Sequence, residues 1–334
     1  MDPEVPGSSP GGGTIQGRRS ALLSAHARYA AYTAAECGFA FRSLDGDDGY
    51  LFEVRDGARK AAFAAGQGSP YALNDANAAS IARDKAFCAE VLGVAGLPVL
   101  PGQVFFVTSQ WAEMRAPGRE LQDARAFAGE AAFPIFCKPI AASNGLYAEV
   151  IDDAAAFDAY MARVAREHFA ILAQPYMRGD EYRVFVLDGR VVFSYRKRPP
   201  ECIGDGVRSL AQLAGREGVR GRVAGGALLQ ANDVPEHGAL VVLQGPANRA
   251  AGGRFDAFQD GAPRPLEELC VAAARAVGLR LAGVDVFDLS TARDLSDLTI
   301  IEVNSNPMIA TLEELGRWDL IAQIWRANFA AALR

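Results

Sequence analysis

The chain has 334 residues, 50% of them hydrophobic and 22% charged, with a formal net charge of -6. That is enough apolar material for a sizeable core in two or three packed lobes, and too acidic an average for a general nucleic-acid binder, which needs a basic face. Five scattered cysteines without a CxxC pair fit reduced thiols in a cytoplasm better than a disulfide framework.

The opening MDPEVPGSSPGGGTIQGRRS is rich in Pro, Gly and Ser and has no apolar h-region, so it reads as a disordered tail and not as a signal peptide. Ser20 to Cys37 is Ala-rich and helix-prone, and FAFRSL and YLFEV follow as short strands around DGDDG. From Asn74 the pattern predicts a helix over Ala78 to Val94, strand VFFV, a helix over Ala124 to Ala131 and strand FPIFCKP. A helix from Asp153 to Glu167, strand AILAQPY and the hairpin EYRVFVLDGRVVFSYRKR come next, its Asp-Gly a strong turn signal. Gly204 to Gly253 reads as loop. A helix from Pro265 to Val277, strands GVDVFD and TIIEVN and a helix from Leu320 to Leu333 close the chain. No run is long enough to span a bilayer.

The last two strands carry Asp285, Glu302 and Asn304, three hard oxygen donors. Residues i and i+2 of a strand share a face, so Glu302 and Asn304 point together and a neighbouring strand can bring Asp285 beside them. Oxygen donors without Cys or His suit Mg²⁺, which shares its shell with waters and phosphates. Singly, each also reads as a solvated strand end. Neither GxxxxGK[ST] nor GxGxxG occurs, so a nucleotide needs another cradle. Lys138 ends an apolar strand before IAASNGL, whose backbone N–H groups can face a phosphate. Taken alone, Lys138 reads as a solvated charge and Lys85 as a surface helical residue. Gln174, Pro175, Tyr176 and Met177 read equally as a hinge lining an adenine pocket and as an edge strand with a turn. Glu181 just beyond is placed to accept ribose hydroxyls. Arg183, Arg196 and Arg198 lie on the hairpin, where arginine suits developing phosphoryl charge and where exposed arginines look the same. His26, His168 and His237 share no motif with a nucleophile.

In this order the segments resemble the ATP-grasp superfamily, and most nearly the ATP-grasp domains of cyanophycin synthetase and bifunctional glutathione synthetases, from about Asn74 to Ile309. ARDKAFCAEVLGVAGLPVLPG is similar to the DK helix, FCKPIAASNGL to the KP strand and phosphate loop, and QPYMRGDEYRVFVLDGRVV to the hinge. KRPPECIGDGVRSLAQL is similar to the RxPAxVxGDG segment. VPEHGALVVLQGPANRAAGGRFD resembles the stretch with Asn248, Gly252, Gly253 and Asp256.

The resemblance implies an α+β ATP-grasp fold, two α+β lobes gripping ATP with a short N-terminal α/β unit. The expected divisions are a tail at 1–18, the short unit at 19–73, lobe 1 at 74–173 and lobe 2 at 174–334. It implies Lys85 and Lys138 on ATP phosphates with the loop at Ser143, Asn144 and Gly145, the Gln174–Met177 hinge on adenine, and Glu181 on ribose. Asp285, Glu302 and Asn304 would hold two Mg²⁺ ions. Arg183 and one of Lys197 and Arg198 would stabilise the transferring phosphoryl group, with Arg196 open as well because the register is uncertain by one residue. Asn248, Gly252 and Gly253 would meet substrate. Two phosphate-loop positions that are usually Gly are Ala142 and Tyr147 here. No Mur-ligase-like module follows, so the expectation is a stand-alone cytoplasmic ligase and not cyanophycin polymerisation. It would join a small-molecule acid to an amine through an acyl phosphate, without nucleic acid or membrane, a homodimer being left open. A nucleotide-binding regulatory protein of the same fold with weakened turnover is the alternative, and a kinase that stops at phosphoryl transfer is a third.

Overall fold

The computed structural model describes residues 22–66, 68–142, 145–223, 226–245, 247 and 252–334. They fall into two compact units, one reaching Ala72 and including Ile309–Arg334, the other Leu73–Met308. The closing segment thus groups with the amino-terminal residues, not with 174–308, and 73–308 cluster as one unit.

The first unit opens with α1 (Ala25–Cys37), started by the Ser24 side chain, which accepts from the Ala27 N–H, and ended at Gly38 in the left-handed conformation. The meander β1 (Ala40–Ser43), β2 (Leu51–Asp56) and β3 (Arg59–Ala64) follows. The sequence reading passes over β3 because RKAAFA has almost no strand-forming residues.

In the second unit the helix expected over Ala78 to Val94 is two, α2 (Ala76–Arg83) and α3 (Lys85–Val94). Asp84 leaves helical geometry at the break and caps α3 by accepting from the N–H groups of Ala86 and Phe87. Next come β4 (Gln103–Phe106), α4 (Leu121–Glu130), β5 (Ile135–Pro139), β6 (Glu149–Ile151), α5 (Ala154–Val164) and β7 (Ala170–Pro175). The antiparallel sheet β4-β7-β5-β6 packs one face on α4 and α5 through Phe105, Cys137, Phe157 and Ile171.

The hairpin β8 (Asp180–Leu187) and β9 (Arg190–Arg198) turns at Asp188 and Gly189, both at positive φ, as a two-residue turn of this kind requires. After β10 (Glu201–Ile203), the stretch read as loop holds α6 (Leu210–Ala214), β11 (Gly221–Val223), β12 (Leu228–Leu229) and β13 (Leu240–Leu243). The strands β10, β13, β11 and β12 form a small sheet over a core of Leu210, Val219, Val241 and Leu243. Then come β14 (Arg254–Asp260), α7 (Arg264–Val277), β15 (Leu281–Asp288) and β16 (Leu298–Asn304). The antiparallel sheet β14-β9-β8-β15-β16 buries Val184, Val186, Val284 and Val286 against α2, α3 and α7.

The first unit is completed by α8 (Ala310–Glu314) and α9 (Trp318–Ala332). Trp325 and Phe329 of α9 meet Phe63, whose ring stacks on Phe52 at 5.4 Å. No helix among the described residues is long and apolar enough to cross a membrane.

Candidate active site

The five-stranded sheet positions the acids. Across its ladder Arg183 stands opposite Asp285, and Asp285 opposite Glu302. Alternation puts Glu181, Arg183, Asp285, Glu302 and Asn304 on the face turned away from the α7 core. Gly283 makes room there: a Cβ would come within 2.8 Å of Pro307 and 3.3 Å of the Arg183 guanidinium.

Asp285 is 1% exposed, and both of its oxygens are engaged. Arg183 Nε donates to Oδ1 and Arg183 Nη2 to Oδ2 at 2.7 Å, a bidentate pair, while Lys197 Nζ donates to the same Oδ2 at 3.0 Å. Lys197 also donates to Glu181 Oε1 at 2.6 Å, so the carboxylate expected on ribose holds an ammonium. Burial alone would lower the pKa values of Lys197 and Arg183, but the facing carboxylates outweigh it and raise both.

Of the three basic residues left open by the sequence, the structure brings only Lys197 to this face. Arg196 and Arg198 are not brought there: Arg196 pairs with Asp180 at 2.9 Å and Asp256 at 2.8 Å, and Arg198 with Asp256 at 2.7 Å. The cause is a β-bulge. Leu187 and Val186 face Arg190 and Val191, but Phe185 faces Phe193, so Val192 is the extra residue. A one-residue slip exchanges the faces of everything beyond it.

The other sheet supplies ammonium groups. Lys138 on β5 is 6% exposed, not a solvated strand end, and burial holds its pKa below the usual lysine range although Glu302 pulls the other way. Lys85 is the first residue of α3 and not a surface position within a helix. Its N–H donates to Ile140 O at 2.9 Å, its Nζ to Ala142 O at 2.6 Å, and Nζ lies 4.0 Å from Glu302 Oε2. Burial would raise the Glu302 pKa, but Lys138, Lys85 and Lys197 together depress it. Asn304 donates to Glu302 Oε1 at 3.1 Å. Four cations therefore face three carboxylates, a surplus of positive charge suited to an anion.

Gln174 is 2% exposed. Its Nε2 donates to Leu100 O at 3.2 Å, and its Oε1 is a buried acceptor without a partner among the described residues. Pro175 is exposed and Tyr176 and Met177 are half-buried, with the Arg178 guanidinium 5.4 Å from the Tyr176 ring. Gly145 has φ +71°, and Tyr147, at one of the usual Gly positions, has φ +55°. Its carbonyl accepts from Tyr160 and its hydroxyl donates to Glu167, both at 2.8 Å. Ser143, Asn144 and Asn248 lie outside the described residues. Gly252 lines a cleft with Glu201, Ile203, Leu240 and Arg254, and Gly253 is half-buried beside it. Sequence reading missed Asp180, and it named Asp256 only within a family motif; the two hold Arg196 and Arg198 on the far face.

No family model matches the chain. The glutathione biosynthesis bifunctional protein GshAB of Enterococcus faecalis is 27% identical over 256 residues, covering 68% of this chain and 32% of that protein. Cyanophycin synthetase of Geminocystis herdmanii is 25% identical over 253 residues, covering 68% and 28%. The chain thus spans about a third of the length of these relatives. Among solved structures, D-alanine–D-alanine ligase from Bacillus anthracis superposes with a TM-score of 0.50 at 11% identity, over 78% of this chain and 71% of that one. The chain has the ATP-grasp fold and resembles the ATP-grasp superfamily in sequence.

Proposed function

We propose that the protein is an ATP-dependent carboxylate–amine ligase, joining an amino acid or small peptide to an amine through an acyl phosphate. The observation that carries this reading is the convergence of Lys85, Lys138, Lys197 and Arg183 with Glu181, Asp285 and Glu302 between two sheets. A carboxylate attacks a phosphoryl group only if two anions are held in line and their charge is neutralised.

Two fits support it. The orphaned Gln174 Oε1 at the hinge suits a donor such as the adenine amino group. Asp285, Glu302 and Asn304 are hard oxygen donors of the kind that suits Mg²⁺. These three residues would hold the ion, which when bound neutralises phosphate charge. Lys138 and Lys85 would then clamp the phosphates, Arg183 would balance charge on the transferred group, and the hinge would hold the base. Attack of the acid on the γ-phosphorus releases ADP; attack of the amine on the acyl carbon then forms the amide and releases phosphate.

The reading of a protein that has lost turnover rests on the Gly-poor phosphate loop. Against it, Tyr147 adopts the left-handed φ that a glycine there supplies, and Tyr160 holds it. Screening pairs of amino acids for phosphate release, with product mass, separates the two. A condensed product with ADP supports the ligase, phosphorylated acid without need of amine indicates the kinase, and nucleotide binding without phosphate release across the screen supports the regulatory reading.

A further inference from the structure

The engagement of Asp285 has a consequence for how a metal enters. Asp285 is almost fully buried, and among the described residues every hydrogen bond its carboxylate accepts comes from a cation: Arg183 on both oxygens and Lys197 on Oδ2. Lys197 is itself tied to Glu181, so its ammonium sits between two carboxylates and is only 11% exposed. A compact ammonium with three donors can serve both at once. Glu302 meanwhile lies in the field of Lys85, Lys138 and Lys197. A dication arriving alone would meet acids already neutralised, and would be repelled by the cations that neutralise them.

We infer that Lys197 and Arg183 act as stand-in cations that hold Asp285 in place and keep the bare site closed to divalent metal, so that metal enters only with nucleotide. This rests on the assignment of Asp285 as a metal ligand in the proposed ligase. The phosphates of a nucleotide change the balance in two ways. They add oxygen ligands for the metal, and they offer the displaced ammonium and guanidinium a new anionic partner. Metal and nucleotide affinity are then linked reciprocally, each raising the other by the same factor. Lys197 is a positioning residue in this scheme, setting the state of Asp285 before nucleotide arrives.

Equilibrium dialysis of Mn²⁺, a stand-in for Mg²⁺ with the same preference for oxygen ligands, tests the inference without turnover. Wild type should retain no Mn²⁺ in the absence of nucleotide and should retain it when ADP is present. Lys197→Met, folded by circular dichroism, should bind Mn²⁺ without nucleotide at least tenfold more tightly than wild type, and adding Asp285→Asn to it should abolish that binding. Lys197→Arg, which keeps the charge, should behave as wild type; Lys197→Gln replaces the Met variant if that one does not fold. Wild type binding Mn²⁺ alone as tightly as the neutral variant overturns the inference, as does Mn²⁺ binding by Lys197→Met that survives Asp285→Asn. The proposed function fails separately, if ADP gives no thermal shift with or without metal, because the nucleotide-free comparison does not depend on it.

Discussion

Asp285 and Glu302 face each other directly across β15 and β16, two carboxylates in register on neighbouring antiparallel strands. Like charges in that relation repel, and here they are tolerated because Arg183 and Lys197 serve one while Lys85, Lys138 and Lys197 surround the other. Glu302→Gln keeps the shape and removes one of the two charges. Phosphate release should fall at least a hundredfold while the melting temperature stays within a few degrees of wild type, because no cavity opens. Near-wild-type phosphate release from this variant rejects the metal assignment.

Lys138 is a buried ammonium whose pKa is depressed in the folded state, chiefly by desolvation. The unfolded chain therefore holds that proton more tightly, so the stability linked to this group is present above the ordinary lysine pKa of about 10.4 and lost as pH falls through the folded value. At neutral pH burying the cation is a cost. Lys138→Met should thus leave the melting temperature unchanged or higher, while the thermal shift on adding Mg-ATP should shrink or vanish. A variant that melts much lower yet keeps the full Mg-ATP shift would show a structural role only.

Strands β5, β7, β15 and β16 were legible because each is an apolar run with a polar residue of distinctive chemistry at or near its end. The break between α2 and α3 was not, since Ala-rich sequence continues across it and only the capping by Asp84 marks the new start. That break is what makes Lys85 a helix-starting residue able to reach Ala142. The choice among Arg196, Lys197 and Arg198 was hidden for a different reason. Pairing counted straight from the turn at Asp188 and Gly189 would set Arg196 opposite Glu181, and only the extra residue at Val192 sets Lys197 there instead. YRKR offers only Tyr195 as an apolar member, too little alternation to signal the slip. Strand β14 follows a Gly-rich stretch and is irregular between Asp256 and Gln259, which blurs its alternation. Grouping of Ile309–Arg334 with the amino-terminal unit is a long-range contact that no local pattern reports.

The unpartnered Oε1 of Gln174 gives a prediction about the base. An adenine amino group would satisfy it, whereas the carbonyl of inosine triphosphate would set two acceptors against each other. ATP should bind about five- to a hundredfold more tightly than inosine triphosphate, consistent with about 1–3 kcal/mol for an unsatisfied buried group. Gln174→Met should narrow that gap. Equal affinities for the two nucleotides in wild type would remove the base-reading role.

His26 lies 5% exposed against Tyr29, Tyr71 and Trp325, with no partner for its Nδ1 among the described residues. Burial lowers its pKa to about 4. Because the folded value is depressed, the unfolded chain binds the proton more tightly, and stability present above pH 6.5 is lost as pH falls toward 4. The loss attributable to this group is on the order of 3 kcal/mol. His26→Leu should flatten the fall in urea-unfolding free energy between pH 6.5 and 4.5 relative to wild type. Parallel profiles for the two proteins would mean that His26 is solvated or protonated in the fold.

The route to the amide is open to isotope. If the acid attacks the γ-phosphorus, its attacking oxygen becomes the bridge of the acyl phosphate. Attack by the amine on the acyl carbon then breaks the bond from carbon to that oxygen, which leaves with phosphate. Acid labelled with oxygen-18 should therefore give singly labelled inorganic phosphate for each amide formed, with ADP as the nucleotide product. The proposed placing of Lys85, Lys138 and Arg183 around the distal phosphates would suit such a transfer, since charge develops on the transferred group and on the β-phosphate that leaves. Attack at the α-phosphorus would instead send the label to AMP, and unlabelled phosphate with labelled AMP would reject the acyl-phosphate route while leaving the fold assignment untouched.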